Sequence, residues 1–195
     1  MNTFHQTDIM KNILNKFYQS YLKIRFLNLK IKSNVTIDIG TKIYPWKGSI
    51  EIGKGVVLRS NPRGYHAGMS FPTCLLVDIE NAFIRIGDFS RLNGVYVHAQ
   101  KGITIGKGVV IAAGVNILDS NGHRINSLSR VSDRDIPKEI VIGDNVWIGL
   151  NSIILKGSII GSNSVVGAGA IVNGVFPENS LIVGNPATKV DTIVF

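Results

Sequence analysis

The stretch ILDSNGHRINSLSR, residues 117–130, puts a histidine close to an aspartate and two arginines in a segment without a regular apolar pattern. His123 follows Ser120, Asn121 and Gly122, residues that favour turns and leave a side chain open to a ligand. A neutral imidazole, with an ordinary pKa of ~6.5, can take a proton from a hydroxyl at neutral pH. A carboxylate on its far nitrogen would fix the tautomer and stabilise the imidazolium. Asp119 is the nearest acid in sequence, with Asp133 and Asp135 as alternatives in the same segment. The other histidines offer less. His5 lies near the start of the chain, and His98 leads the hexad HAQKGI, an inward position that reads as packed core. His66 stands beside Tyr65 on a second irregular segment, where either ring could touch a substrate or be solvated. A catalytic zinc needs about three His or carboxylate ligands. No two histidines stand at ligand spacing and Cys74 is remote, so no metal is expected.

The elements that must position these groups follow from an internal repeat. From Ile142 the chain divides into IGDNVW, IGLNSI, ILKGSI, IGSNSV, VGAGAI and VNGVFP, led by Ile142, Ile148, Ile154, Ile160, Val166 and Val172. A second run, IGKGVV and IAAGVN, is led by Ile105 and Ile111, with Ile117 in phase. IGKGVV also stands at 52–57, and a less regular run starts at Ile86. A period of six fits neither a 3.6-residue helix nor a plain alternating strand. It fits a short strand plus a corner, three such units closing one coil of a parallel β-solenoid. The fifth position is small or β-branched (Val146, Ser152, Ser158, Ser164, Ala170) and turns inward at the crowded corner. Two segments leave the rhythm, 60–81 and 118–139, and are read as loops inserted at corners of a domain spanning 34–195.

Residues 1–33 form a separate basic segment. Ile9, Ile13, Phe17, Tyr21 and Ile24 fall near helical spacing over 8–31, among Lys11, Lys16, Lys23, Arg25 and Lys30. Such a helix can cap the open end of the solenoid or lie on an anionic lipid surface. The 195 residues have a net charge of +8, with 45 % hydrophobic and 17 % charged residues. That composition describes a folded chain and points to an anionic partner. Nucleic acid is a weak reading, because the charges lack interleaved aromatics or a known reading element. No apolar run approaches the ~20 residues of a spanning helix. A lone cysteine and the lack of a leader pattern lead to an expected cytoplasmic location.

The phased hexads of 142–171, DNVWIG at 144–149, GNPA at 184–187 and a histidine in the preceding loop resemble the hexapeptide-repeat acyltransferases. The likeness is strong over about 86–190 and weak over 35–85. The stretch from Asn93 to His123 is most similar to the polysaccharide O-acetyltransferase branch. The resemblance implies a left-handed parallel β-helix, a homotrimer with active sites between subunits, and acetyl-CoA as acyl donor. It implies His123 as general base, Trp147 as the aromatic near the active-site cleft with Gly149 on the coil edge beside it, and Ala168 as a backbone contact to the pantetheine arm. Asn185, Pro186 and Lys189 would then stand near the nucleotide end, and Asn93 near the acceptor. Trp147 as plain structure is the competing reading. The chain departs from the pattern at Leu150, where relatives often place serine, and at Asn173-Gly174, where they often place Thr-Lys.

The expected activity is acetyl transfer to a sugar hydroxyl of a surface polysaccharide or its precursor. The N-terminal helix allows a peripheral contact with the inner face of the membrane. The alternatives are N-acetylation of a nucleotide-sugar amine or a small xenobiotic, and a non-catalytic solenoid that binds without turnover. No nucleic-acid partner is expected.

Overall fold

The computed structural model describes the backbone of residues 3–195, and side chains from residue 13 onward. His5, Ile9, Met10 and Lys11 therefore lie outside the described side chains. The chain forms one helix, α1 (Thr3–Arg25), followed by short strands wound into a left-handed parallel β-helix. Each coil contributes one strand to each of three sheets, so strands within a sheet pair with the strand one coil before and one coil after, up to the sheet ends.

The leading residues of the hexads build three columns inside the coil. Ile31, Ile52, Ile86, Ile105, Ile142, Ile160 and Phe176 stack on the first face. Ile37, Leu58, Leu92, Ile111, Ile148, Val166 and Ile182 stack on the second. Ile43, Leu75, Val97, Ile117, Ile154 and Val172 stack on the third. All are buried, so the main favourable contribution is apolar area withdrawn from water along the whole axis.

The corners explain the rest of the hexad. The fourth residue takes the left-handed backbone conformation, with φ of 55° at Asn145, 57° at Asn151 and 62° at Asn163. Asn and Gly tolerate that region at least cost, which is why one or the other recurs there. Fifth-position serines are buried, and their hydroxyls donate to corner carbonyls, Ser152 to Gly149 at 2.9 Å and Ser158 to Val172 at 3.1 Å. The second-position glycine answers to the stacking distance. A Cβ on Gly106 would lie 2.6 Å from the carbonyl carbon of Gly143 in the next coil.

Three boundaries differ from the sequence reading. The helix ends at Arg25, and Leu29–Ile31 already pairs with Ser49–Ile52 as the first strand. The Asn28 amide donates to the Pro45 and Gly48 carbonyls and ties this junction to the first coil. The first insertion covers 60–73 and not 60–81, because Cys74–Val77 pairs in register with Lys42–Pro45 and Tyr96–Ala99. The second begins at Asp119, since Leu118 still faces Leu155.

α1 packs against the first two strands. Leu22 is buried, Tyr18 donates to the Thr41 carbonyl at 2.7 Å and Gln19 to the Val35 carbonyl at 2.7 Å. Phe17 and Ile24 remain exposed on its outer side. Among the described residues, no helix is long and apolar enough to cross a membrane.

Candidate functional site

Outward residues of the second face line a cleft of about 750 Å³. Its floor follows the sixth hexad position, where Arg91, Val110, Trp147 and Val165 stack in register coil on coil. The first insertion supplies one wall through Gly64, Tyr65 and His66. The Tyr65 hydroxyl accepts from the Ala113 amide at 3.3 Å, and its ring lies 5.3 Å from that of His66. Gly149, Leu150, Gly167 and Ala168 form the far corner.

Six residues singled out from sequence meet here: Tyr65, His66, Asn93, Trp147, Gly149 and Ala168. Trp147 is 55 % exposed, so it is available to a ligand and is not a core residue. Asn93 is buried and donates from Nδ2 to the Ile111 carbonyl at 2.8 Å, while no group meets its Oδ1. Asn185, Pro186 and Lys189 are exposed at the terminal hairpin, where Ala187–Thr192 turns back along Ser180–Gly184 on the same face. They do not line the cleft. Arg59 and Arg91, which the sequence reading left aside, do line it. Their signal was positional: Arg91 shares the outward column of Trp147, and Arg59 stands in register beside Asn93.

His123 is exposed on the second insertion and is not among the residues lining the cleft. Its Nδ1 lies 2.5 Å from the carbonyl oxygen of Arg130. A carbonyl only accepts, so Nδ1 is the donor, and in the neutral imidazole Nε2 is the basic atom. The insertion is braced around it by a bridge between His123 and Arg134 and by the Arg124 amide donating to the Asp133 carbonyl at 3.2 Å.

None of the three acids considered for His123 reaches it. Asp119 is buried, with Oδ1 accepting from the Gln100 amide at 2.7 Å and Oδ2 from the Lys101 and Gly102 amides at 2.8 Å each. It ties the root of the insertion to the coil below, which corrects its assignment as a catalytic residue. Burial pushes its carboxyl up, while the three amides and the His98 imidazole act to lower it. Asp133 accepts from the Ser127 hydroxyl at 2.6 Å. Asp135 is held by the Lys156 ammonium and by the Asn121 amide at 2.8 Å.

The expected inward place of His98 is also corrected. Val97 and Ala99 face the core, and His98 points outward, with Nε2 3.0 Å from Asp78. Among the described residues, no group of three His, Cys, Asp or Glu side chains could hold a metal ion.

The Asp135–Lys156 pair gives the insertion a pH dependence. Desolvation acts to raise the Asp135 carboxyl, but the Lys156 ammonium and the Asn121 amide outweigh it and hold the group below the ordinary carboxylate range. A carboxylate lowered on folding contributes stability above its unfolded value of ~3.9, and that contribution is lost as pH falls through the folded value. Lys156→Met should speed exchange of the Asn121 and Arg124 amides about tenfold at neutral pH, because hydrogen bonds to charged groups contribute ~1.5–3 kcal/mol. It should also flatten the acid dependence. Hydrogen exchange by mass spectrometry reads both, and unchanged protection would remove the pair from this role.

Comparison with known proteins fits this geometry. Residues 139–174 match the model for bacterial transferase hexapeptide (six repeats), and residues 84–118 match that for the hexapeptide repeat of succinyl-transferase. The chain is 47 % identical to Protein CapG of Staphylococcus aureus over 91 residues, 47 % of this chain and 53 % of that one. It is 40 % identical to the polysialic acid O-acetyltransferase of Neisseria meningitidis over 64 residues, 32 % of this chain and 30 % of the relative. Among solved structures, a hexapeptide-repeat acetyltransferase of Vibrio cholerae complexed with acetyl coenzyme A is 36 % identical. It superposes with a TM-score of 0.55 over 57 % of this chain and 61 % of that one. The chain spans about half the length of the curated relatives it matches. Its repeat is of the hexapeptide transferase type, and its resemblance to the hexapeptide-repeat acyltransferases is shown, with relatives named as polysaccharide O-acetyltransferases.

Proposed function

We propose that the chain is an acetyl-CoA-dependent O-acetyltransferase that acylates a hydroxyl of a surface polysaccharide or its precursor, with His123 as general base. The observation that carries this reading is an exposed imidazole, hydrogen-bonded through Nδ1 to the Arg130 carbonyl, on a fold that superposes on a solved hexapeptide-repeat acetyltransferase. The cleft suits a thin, largely apolar arm. Val110, Trp147 and Val165 offer an apolar floor, and Gly149, Gly167 and Ala168 leave the backbone accessible. Beyond that end lies the hairpin with Asn185, Pro186 and Lys189, and on this reading Lys189 would meet a phosphate of the donor.

In the reaction, Nε2 of His123 takes the proton of the acceptor hydroxyl as its oxygen attacks the thioester carbonyl carbon. The new C–O bond forms, the C–S bond breaks, and the proton passes from Nε2 to the departing sulfur. Main-chain N–H groups at the coil edge are suited to stabilise the developing oxyanion. Because His123 does not line the cleft of its own chain, the complete site is assigned to the junction of two copies in a homotrimer. Exposed Val141, Ile159 and Val175, in register on the first face, support such an assembly.

Thiol release from acetyl-CoA, measured against paired sugars and amino sugars, tests the reading. Acceptor-dependent release with an ester product, labile to hydroxylamine, is expected. Release with amino sugars alone would replace O-transfer by N-transfer, and binding without release would leave a non-catalytic solenoid.

A cytoplasmic site of action at the inner membrane face is part of the same proposal. Phe17, Tyr21 and Ile24 are at least half exposed on α1 beside Lys16, Lys23 and Arg25. Co-sedimentation with anionic liposomes should fall when residues 1–25 are deleted, and equal recovery would end the lipid reading.

A further inference from the structure

The cleft is chemically polarised. Its apolar end, around Val110, Trp147 and Val165, lies toward the terminal hairpin, and its other end carries Arg59, Arg91 and Asn93. Arg59 stands in register beside Asn93, and Arg91 beside Val57, so both guanidinium groups rise from adjacent coils of one face. Neither makes an ion pair or a side-chain hydrogen bond among the described residues. Among the described residues, no Asp or Glu lines the cleft. Asn93 stands at the same end, 2 % exposed, and among the described residues its Oδ1 has no partner, which leaves a buried acceptor in want of a hydrogen bond.

Two unpaired cations in a concave site hold an anion more firmly than scattered surface charge does, because the cleft excludes part of the water. Guanidinium forks match planar carboxylates and phosphate oxygens. With the donor's phosphates assigned to the hairpin end, the arginines face the acceptor. We infer that the acceptor is an anionic sugar, carrying a carboxylate or a phosphate held by Arg59 and Arg91, with a neighbouring hydroxyl on the Asn93 side. The inference rests on the acetyl-transfer reading for the direction in which the donor lies.

The test compares equilibrium binding of three probes to the full chain at about 0.15 M salt: polygalacturonate, its neutral methyl ester and a phosphorylated mannan. Wild type, Arg59→Gln, Arg91→Gln, the double variant and Lys107→Gln are measured, the last as a control for general surface charge. Wild type should bind at least one acidic polymer about tenfold more tightly than the ester, and the preferred acid separates carboxylate from phosphate. The double variant should lose about 10- to 100-fold in that affinity while Lys107→Gln and the affinity for CoA stay as in wild type. Equal binding of acid and ester overturns the inference, as does an equal loss in Lys107→Gln. Lost CoA affinity in the double variant would instead assign the arginines to the donor. Failure of the acetyl-transfer reading shows separately, as absence of acceptor-dependent thiol release.

Discussion

His123→Ala should lower kcat about 10²- to 10⁴-fold, the usual contribution of a positioned general base, with little change in the KM for acetyl-CoA. The expectation follows from geometry. The Arg130 carbonyl holds the proton on Nδ1 and leaves Nε2 as the basic atom. The side chain is exposed on an insertion, so its removal should leave stability within about 0.5 kcal/mol of wild type. Steady-state thiol release with varied donor and acceptor, alongside thermal unfolding, separates the two effects. A variant with wild-type kcat would remove His123 from the reaction. A variant that unfolds at a much lower temperature would make its role structural.

Asp119→Asn should act in the opposite way, on the fold more than on the chemistry. Its two carboxylate oxygens accept from three consecutive main-chain amides at 2.7–2.8 Å. An amide can accept on one side only and turns an N–H₂ toward the amides on the other. The loss should be about 2–4 kcal/mol, equivalent to a fall of about 5–15 °C in Tm for a chain of this size. Below the transition, kcat should fall far less than in His123→Ala, because the histidine is oriented by the Arg130 carbonyl. An unchanged Tm with a kcat as low as that of His123→Ala would return Asp119 to the histidine.

The solenoid was legible because each leading aliphatic repeats its environment in the next coil. The six-residue period from Ile142 to Val172 is the register of the three columns. Asn145, Asn151 and Asn163 could have extended the reading, since an Asn or Gly at every fourth position marks the left-handed corner. The end of the first insertion was not legible. CLLV at 74–77 is a short apolar run off the hexad phase, and nothing local says that it pairs with residues 42–45 rather than staying in the loop. The partner of His123 was hidden for a different reason. Proximity favoured Asp119, but a main-chain carbonyl seven residues downstream carries no side-chain signature. Three acids within the insertion were instead taken up by main-chain amides, a serine and a lysine. The two arginines escaped notice because charge alone does not tell a lined cleft from a solvated face. Their register with Asn93 and with the Trp147 column does.

On the proposed reading, the cleft of one copy and His123 of another make a single acetyl-transfer site. Co-assembly of His123→Ala chains with Trp147→Ala chains tests it directly, with thiol release measured before and after mixing by reversible unfolding. In a trimer with sites between neighbours, random equal mixing regenerates an intact histidine–cleft pair in about one quarter of all sites. If each substitution disables the site it enters, activity should therefore rise above that of both parents to about a quarter of wild type. Mixtures no more active than their parents would contradict the shared site.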